Sequence, residues 1–160
     1  MPSNQKLPEI DHGSEDFAVD PLTIRTYFEV DYLHSYKQET PFFHGLQKRK
    51  MLGSFCSKCS YRYATPRGHC MYCGGKTEWF ELPAEGRVHS WTVCYFAAHE
   101  FLKEVPFTLA LIEFDGVNTL FLSRLIGVER PDMKIGMKVR PKFRRKATWS
   151  VRDVYFVSAE

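Results

Sequence analysis

Two CxxC pairs, Cys56-Ser57-Lys58-Cys59 and Cys70-Met71-Tyr72-Cys73, stand ten residues apart and use four of the five cysteines in the chain. Within each pair the two-residue spacer lets both sulfurs reach one ion, and ten residues suffice to return the second pair to it. Four thiolates match tetrahedral Zn²⁺, with sulfur near 2.3 Å. Iron also takes four thiolates, so the sequence leaves the choice of metal open. With cysteine at every position no ligand place is left for water, which predicts a structural site held by Cys56, Cys59, Cys70 and Cys73. A redox dithiol is weighed below this, because two such motifs so close would compete to form a metal site. His69, beside Cys70, is read as a solvent-facing knuckle residue before a substitute ligand. Gly74-Gly75 supplies tight backbone conformations after the second pair.

The 160 residues give room for one ordinary domain, or a small one joined to a module of about 40 residues. A hydrophobic content of 44% and an aromatic content of 15% support a core and exclude a disordered chain. The net charge of +3 names no partner, but its distribution is uneven. Residues 1–20 hold one lysine and five acids, whereas residues 134–146 hold seven basic residues and no acid. No stretch approaches the ~20 apolar residues of a membrane span. The start, MPSNQKLPEIDHG, lacks the basic and apolar parts of a secretory signal. A cytoplasmic location is expected, where clustered CxxC pairs are metal ligands more often than disulfides.

Residues 1–20 read as a flexible tail and 21–52 as helical. Phe28, Tyr32 and Tyr36 recur every four residues, with Leu33 beside them, which predicts a helix with an aromatic stripe. A second helix is expected over ETPFFHGLQKRKM, with Thr40 capping, Pro41 in the first turn and Phe43 and Leu46 on the apolar face. Gly45 weakens that assignment. Residues 53–82 hold the cysteines. From 83 to 160 come five short apolar segments near 87–97, 107–114, 117–125, 136–145 and 149–158, separated by Gly, Pro, Asn and Asp. Without helices between them they favour a small antiparallel barrel over α/β repeats. The first, RVHSWTVCYF, is apolar on both strand faces, which predicts a cover outside it.

No phosphate cradle, HExxH or GxSxG motif is present. Cys94 sits in an apolar run and reads as a buried, inert thiol. His89, His99 and Glu100 could form an acid–base pair, but their spacing does not compel it, and no catalytic residue is assigned. Lys58, Arg62, Arg67 and Lys76, interleaved with Tyr61, Tyr63 and Tyr72, make single-stranded nucleic acid an alternative ligand. It is weighed lower because Glu78, Glu81 and Glu85 interrupt the basic run.

The stretches PFFHGLQKRKMLGSFCSKC, YATPRGHCMYCG, WFELPAEGRVHSWTV, PFTLALIEFDG and IGMKVRPKF resemble the DUF35 family over about residues 28–158. The resemblance implies N-terminal helices, a rubredoxin-like zinc ribbon and a five-stranded OB-fold barrel. It also implies an accessory subunit, expected over an independent enzyme. Its partner would be a thiolase-like or other acyl-CoA enzyme that supplies the reactive groups, with no membrane involved. Coenzyme A or acyl-CoA is the implied ligand. Candidate contacts are Arg67, near the expected junction of ribbon and barrel, Phe107 on the barrel wall, and the basic residues Arg140, Lys142, Arg144 and Arg145. The acidic first twenty residues and the heavy basic tract are not marks of the family.

Overall fold

The computed structural model describes Ile24 and residues 26–159. The tail expected over residues 1–20 lies outside them, and the chain divides after His34.

The first expected helix is absent. Residues 26–36 are neither helix nor strand, and Phe28, Tyr32 and Leu33 are exposed. A spacing of four places side chains on one face only if a helix forms. Fewer than ~12–15 residues, here rich in aromatic and β-branched types, do not hold one unaided. Tyr36, beyond the division, does pack: its ring stacks on Phe43 at 3.7 Å and its hydroxyl donates to the Trp149 carbonyl.

The second helix forms as α1, Thr40–Gln47, after a 3₁₀ turn at Lys37–Glu39. Pro41 lies in its first turn as expected, but Glu39 holds the N-cap position and no side chain caps the end, so Thr40 is not the cap. Gly45 helps here: a Cβ would come within 3.0 Å of Leu52 and the Lys50 carbonyl, so its absence permits close packing of helix on strand. Phe42, Phe43 and Leu46 are buried in the same core as the barrel interior. Burying one such side chain stabilises the fold by roughly 1.5–3 kcal/mol.

Three short strands follow: β1 (Leu52–Phe55), β2 (Arg62–Tyr63) and β3 (Glu78–Glu81), ordered β2-β1-β3. The remaining five are β4 (Gly86–Cys94), β5 (Phe107–Glu113), β6 (Phe121–Leu125), β7 (Lys138–Phe143) and β8 (Val154–Ser158). They pair in the order β4-β5-β6-β8-β7, and β4 also pairs with β7, which closes a barrel. Only β6 and β8 run parallel, meeting at Leu125 and Phe156. Val88, Ala110, Ile112, Phe121, Val139 and Phe156 belong to the buried core cluster.

A bulge accounts for the apolar pattern of β4. Its register against β5 shifts between Val88 and Ser90, leaving His89 extra. The shift moves the alternation by one, so that Val88, Trp91 and Val93 all pack on the core. One face is covered from within, where two apolar faces were expected.

The tip of the β5–β6 hairpin joins ribbon to barrel. Asn118 accepts a hydrogen bond from the Arg62 amide at 2.8 Å, and its own amide donates to the Arg62 carbonyl at 3.0 Å. Thr119 Oγ1 accepts from the Ala64 amide at 2.8 Å. No helix among the described residues is long and apolar enough to cross a membrane.

Candidate metal centre and barrel surface

The two knuckles share one backbone design. The Cys56 amide donates to the Tyr61 carbonyl at 2.9 Å, and the Cys70 amide to the Gly75 carbonyl at 2.8 Å. The residue after the second cysteine of each pair is left-handed, Ser60 at φ 55° and Gly74 at φ 66°. Gly74 adopts this without a steric penalty, whereas Ser60 meets one. Ser60→Gly is therefore expected to raise ribbon stability by a few tenths to about 1 kcal/mol. An unchanged or lowered thermal midpoint of the metal-loaded protein would count against strain at Ser60.

All four sulfurs lie within 4.8 Å of one another, and Cys56 and Cys73 Sγ are 3.6 Å apart. A tetrahedron with sulfur ~2.3 Å from its centre has edges of about 3.8 Å, so the donor set fits one ion. Cys56 and Cys70 are buried, while Cys59 and Cys73 are exposed. Tyr63, 1% exposed, accepts from the Met71 amide at 3.1 Å and lies 3.4 Å from Cys70 Sγ, placed to donate to it. That hydroxyl, followed by the Cys73 and Tyr72 amides, lowers the Cys70 thiol to about 6. The Cys59 thiol is raised to about 12, first by its hydrogen bond to Cys73 and then by desolvation. An entering cation would take the place of those shared protons. His69 lies outside the cluster and forms an isolated bridge with Lys76.

The ribbon tyrosines pack on one another, with Tyr61 4.9 Å from Tyr63 and 4.8 Å from Tyr72 between ring centres. Arg62 lies over Phe80 at 5.3 Å. Tyr63 is buried and offers no face for stacking, whereas Tyr72 remains exposed.

A methanogen protein supplies the deciding comparison. Over 104 residues the chain is 30% identical to a DUF35 domain-containing scaffold protein of Methanocaldococcus jannaschii, covering 64% of this chain and 73% of that one. The chain belongs to the DUF35 family. A second DUF35 scaffold protein, from Methanothermobacter thermautotrophicus, is 27% identical over 104 residues, covering 64% of this chain and 77% of its own. Residues 79–144 match the model described as ChsH2, C-terminal OB-fold domain. Among solved structures, the Ltp2-ChsH2(DUF35) aldolase aligns with a TM-score of 0.63 and 23% identity, covering 76% of this chain and 94% of that one. A DUF35 protein of unknown function from Sulfolobus solfataricus aligns with a TM-score of 0.55 and 26% identity, covering 74% and 83%.

In this DUF35 chain the candidate coenzyme A residues fall into three places. Arg67 lines a cavity of about 240 Å³ with Tyr63, Met71 and Thr119, where ribbon meets barrel. Phe107 and Arg144 line a separate groove. Arg140 and Lys142 are exposed on β7, opposite Val157 and Tyr155, and Arg145 is exposed after it. Cys94 is half-buried at the end of β4, where a buried thiol was expected. His89 pairs with Glu113 at 3.0 Å on the exposed surface, and the side chains of residues 99 and 100 lie outside those described. Sequence reasoning missed Arg124, Arg152 and Phe101 in the groove, since they come from separate segments and share no motif.

Proposed function

We propose that this chain is an accessory, noncatalytic subunit of a thiolase-like enzyme complex acting on acyl-CoA, and that it works in the cytoplasm. Structural zinc in the cysteine cluster holds the ribbon beside a five-stranded OB-fold barrel, an assignment supported by the strand order and by the matched domain model. The observation that carries the reading is exposed aromatic surface at the end of β4. Tyr95 and Phe96 are 64% and 85% exposed, next to Ile126 at 45%. Tyr95 and Ile126 line a cavity of about 350 Å³, and Arg130 donates a hydrogen bond to the Tyr95 hydroxyl. Large aromatics left in water beside a concavity suit a protein partner. The scaffold relatives and the aldolase assembly support such a role, and the reactive groups belong to the partner. Phe107 and Arg144 would lie beside the coenzyme A arm, with Arg140, Lys142 and Arg145 facing its phosphates and Arg67 at the ribbon junction.

Affinity purification of the tagged chain from its native host at moderate salt tests this. A thiolase-fold enzyme is expected at fixed stoichiometry, and Phe96→Asp is expected to lower its recovery at least tenfold. A nuclease-sensitive set of nucleic-acid proteins without any acyl-CoA enzyme would overturn the reading.

A further inference from the structure

The outward face of the barrel holds a second feature. Leu109 on β5 and Arg124 on β6 are cross-strand partners, and the parallel contact of β6 with β8 brings Tyr155 alongside. The 3₁₀ turns His99–Glu104 and Val151–Asp153 contribute Phe101 and Arg152. The groove these elements line has a volume of about 280 Å³ and includes Leu109, Leu122, Val154 and Tyr155.

Three guanidinium groups line this apolar groove, and their settings differ. Arg124 lies over Phe107 at 4.2 Å and is paired with Glu104. Arg152 lies over Phe101 at 5.0 Å. Among the described residues neither Arg152 nor Arg144 meets a carboxylate at salt-bridge distance. Two cations beside an apolar groove, with no carboxylate at salt-bridge distance among the described residues, complement a molecule with an apolar body and an anionic head.

We propose that this groove binds an anionic amphiphile: a medium-length aliphatic chain that lies over Leu122 and Tyr155, with its head held by Arg144 and Arg152. A groove of about 280 Å³ suits a body of medium length, and decanoate is the probe chosen for it. A free carboxylic acid and an acyl-CoA both offer an apolar chain and anionic groups, the second only beyond its pantetheine arm, toward Arg140, Lys142 and Arg145. The inference deepens the acyl-CoA reading and rests on it only for the source of the ligand.

The test uses the full metal-loaded chain and sodium decanoate below its micellar threshold, followed by amide NMR and calorimetry. Decanoate is expected to saturate one site at sub-millimolar concentration, with shifts centred on Leu109, Leu122 and Tyr155. Hexanoate should bind more than tenfold more weakly, because each buried methylene contributes up to about a fourfold gain. Arg144→Gln with Arg152→Gln, and separately Leu122→Asp, should each weaken binding at least tenfold while the amide spectrum stays folded. All three positions are surface-exposed, so folding is retained. Unsaturable or scattered shifts, equal affinity in the variants, or equal binding of decyltrimethylammonium would overturn the site and leave the groove a plain protein contact. Decanoyl-CoA that displaces decanoate identifies the thioester as the source, and decanoyl-CoA bound beside it identifies the free acid; both retain the site. A failed partner purification leaves the titration intact, and a failed titration leaves the assembly intact.

Discussion

Removal of the metal is expected to unfold the two knuckles, residues 56–75, while the barrel strands stay paired. The reason lies in how little else holds the knuckles, since Ala64, Trp79, Phe80 and Leu82 pack with the main core. The knuckles' own buried cluster consists of Cys56, Tyr63 and Cys70 with Tyr61 against them, and β2 is only two residues long. Structural zinc in small modules contributes on the order of 10–16 kcal/mol of binding free energy, and that energy is folding energy because the unfolded chain has no preformed site. Elemental analysis should find one metal per chain and settle zinc against iron. Hydrogen exchange before and after chelation should show protection lost first at the Cys56, Cys70 and Gly74 amides, which bond within the knuckles. Cys56→Ser and Cys70→Ser should act like chelation, because these two ligands are buried. Retention of knuckle protection in a chain shown to be metal-free would sink the structural role.

The second large effect is expected at Asp153, which is 3% exposed. Its carboxylate accepts from the Thr148 amide at 2.9 and 3.0 Å and from the Thr148 hydroxyl at 2.6 Å, and it is 3.5 Å from Gln47 Nε2 of α1. Its backbone is tied as well, accepting from the Arg144 amide and donating to the Ser150 carbonyl. One residue thus fixes the β7–β8 connection and reaches toward the helix. Desolvation is the largest single influence on this carboxyl and raises it. The bonds from Thr148, together with the Ser150 and Trp149 amides, outweigh desolvation and hold the carboxyl below its usual range.

Asp153→Ala should destabilise the domain by about 2–4 kcal/mol, because it leaves buried donors unmatched. Asp153→Asn should cost about 1–3 kcal/mol at neutral pH, since an amide group then faces the Thr148 amide. The sign with pH follows from the lowered folded value. The stabilisation is complete above the unfolded carboxyl value of ~3.9 and is lost as pH falls through the lower folded one. Denaturant unfolding of wild type and Asp153→Asn in parallel should show a gap that is constant above about pH 5 and narrows below about pH 4. Any metal lost on acidification would be lost by both proteins, so the difference isolates the carboxylate. A gap independent of pH would refute the assigned role.

What the sequence revealed follows the range of its signals. The cysteine cluster was legible because four ligands lie within eighteen residues and the knuckles are local. The five barrel strands were legible because turn residues separate them, such as Gly116 at φ 72° in the hairpin and Gly136 at φ 84° before β7. The stripe of Phe28, Tyr32 and Tyr36 misled because its periodicity records a face only where a helix exists to display it. The two-faced pattern of β4 misled because one extra residue at His89 shifts the phase. The groove was illegible for another reason. Arg124, Arg144 and Arg152 come from β6, the turn after β7 and the turn before β8, and only strand order makes them neighbours.

Asn118 treats Arg62 as a neighbouring strand would, receiving from its amide and giving to its carbonyl. The outer margin of β2 is therefore occupied by a turn of the barrel and is closed to strand addition by a second chain. Grafting this ribbon onto a foreign scaffold would uncover that margin and leave an adhesive edge. A graft that carries the cysteines must carry the hairpin tip too, so the portable unit here is a discontinuous one.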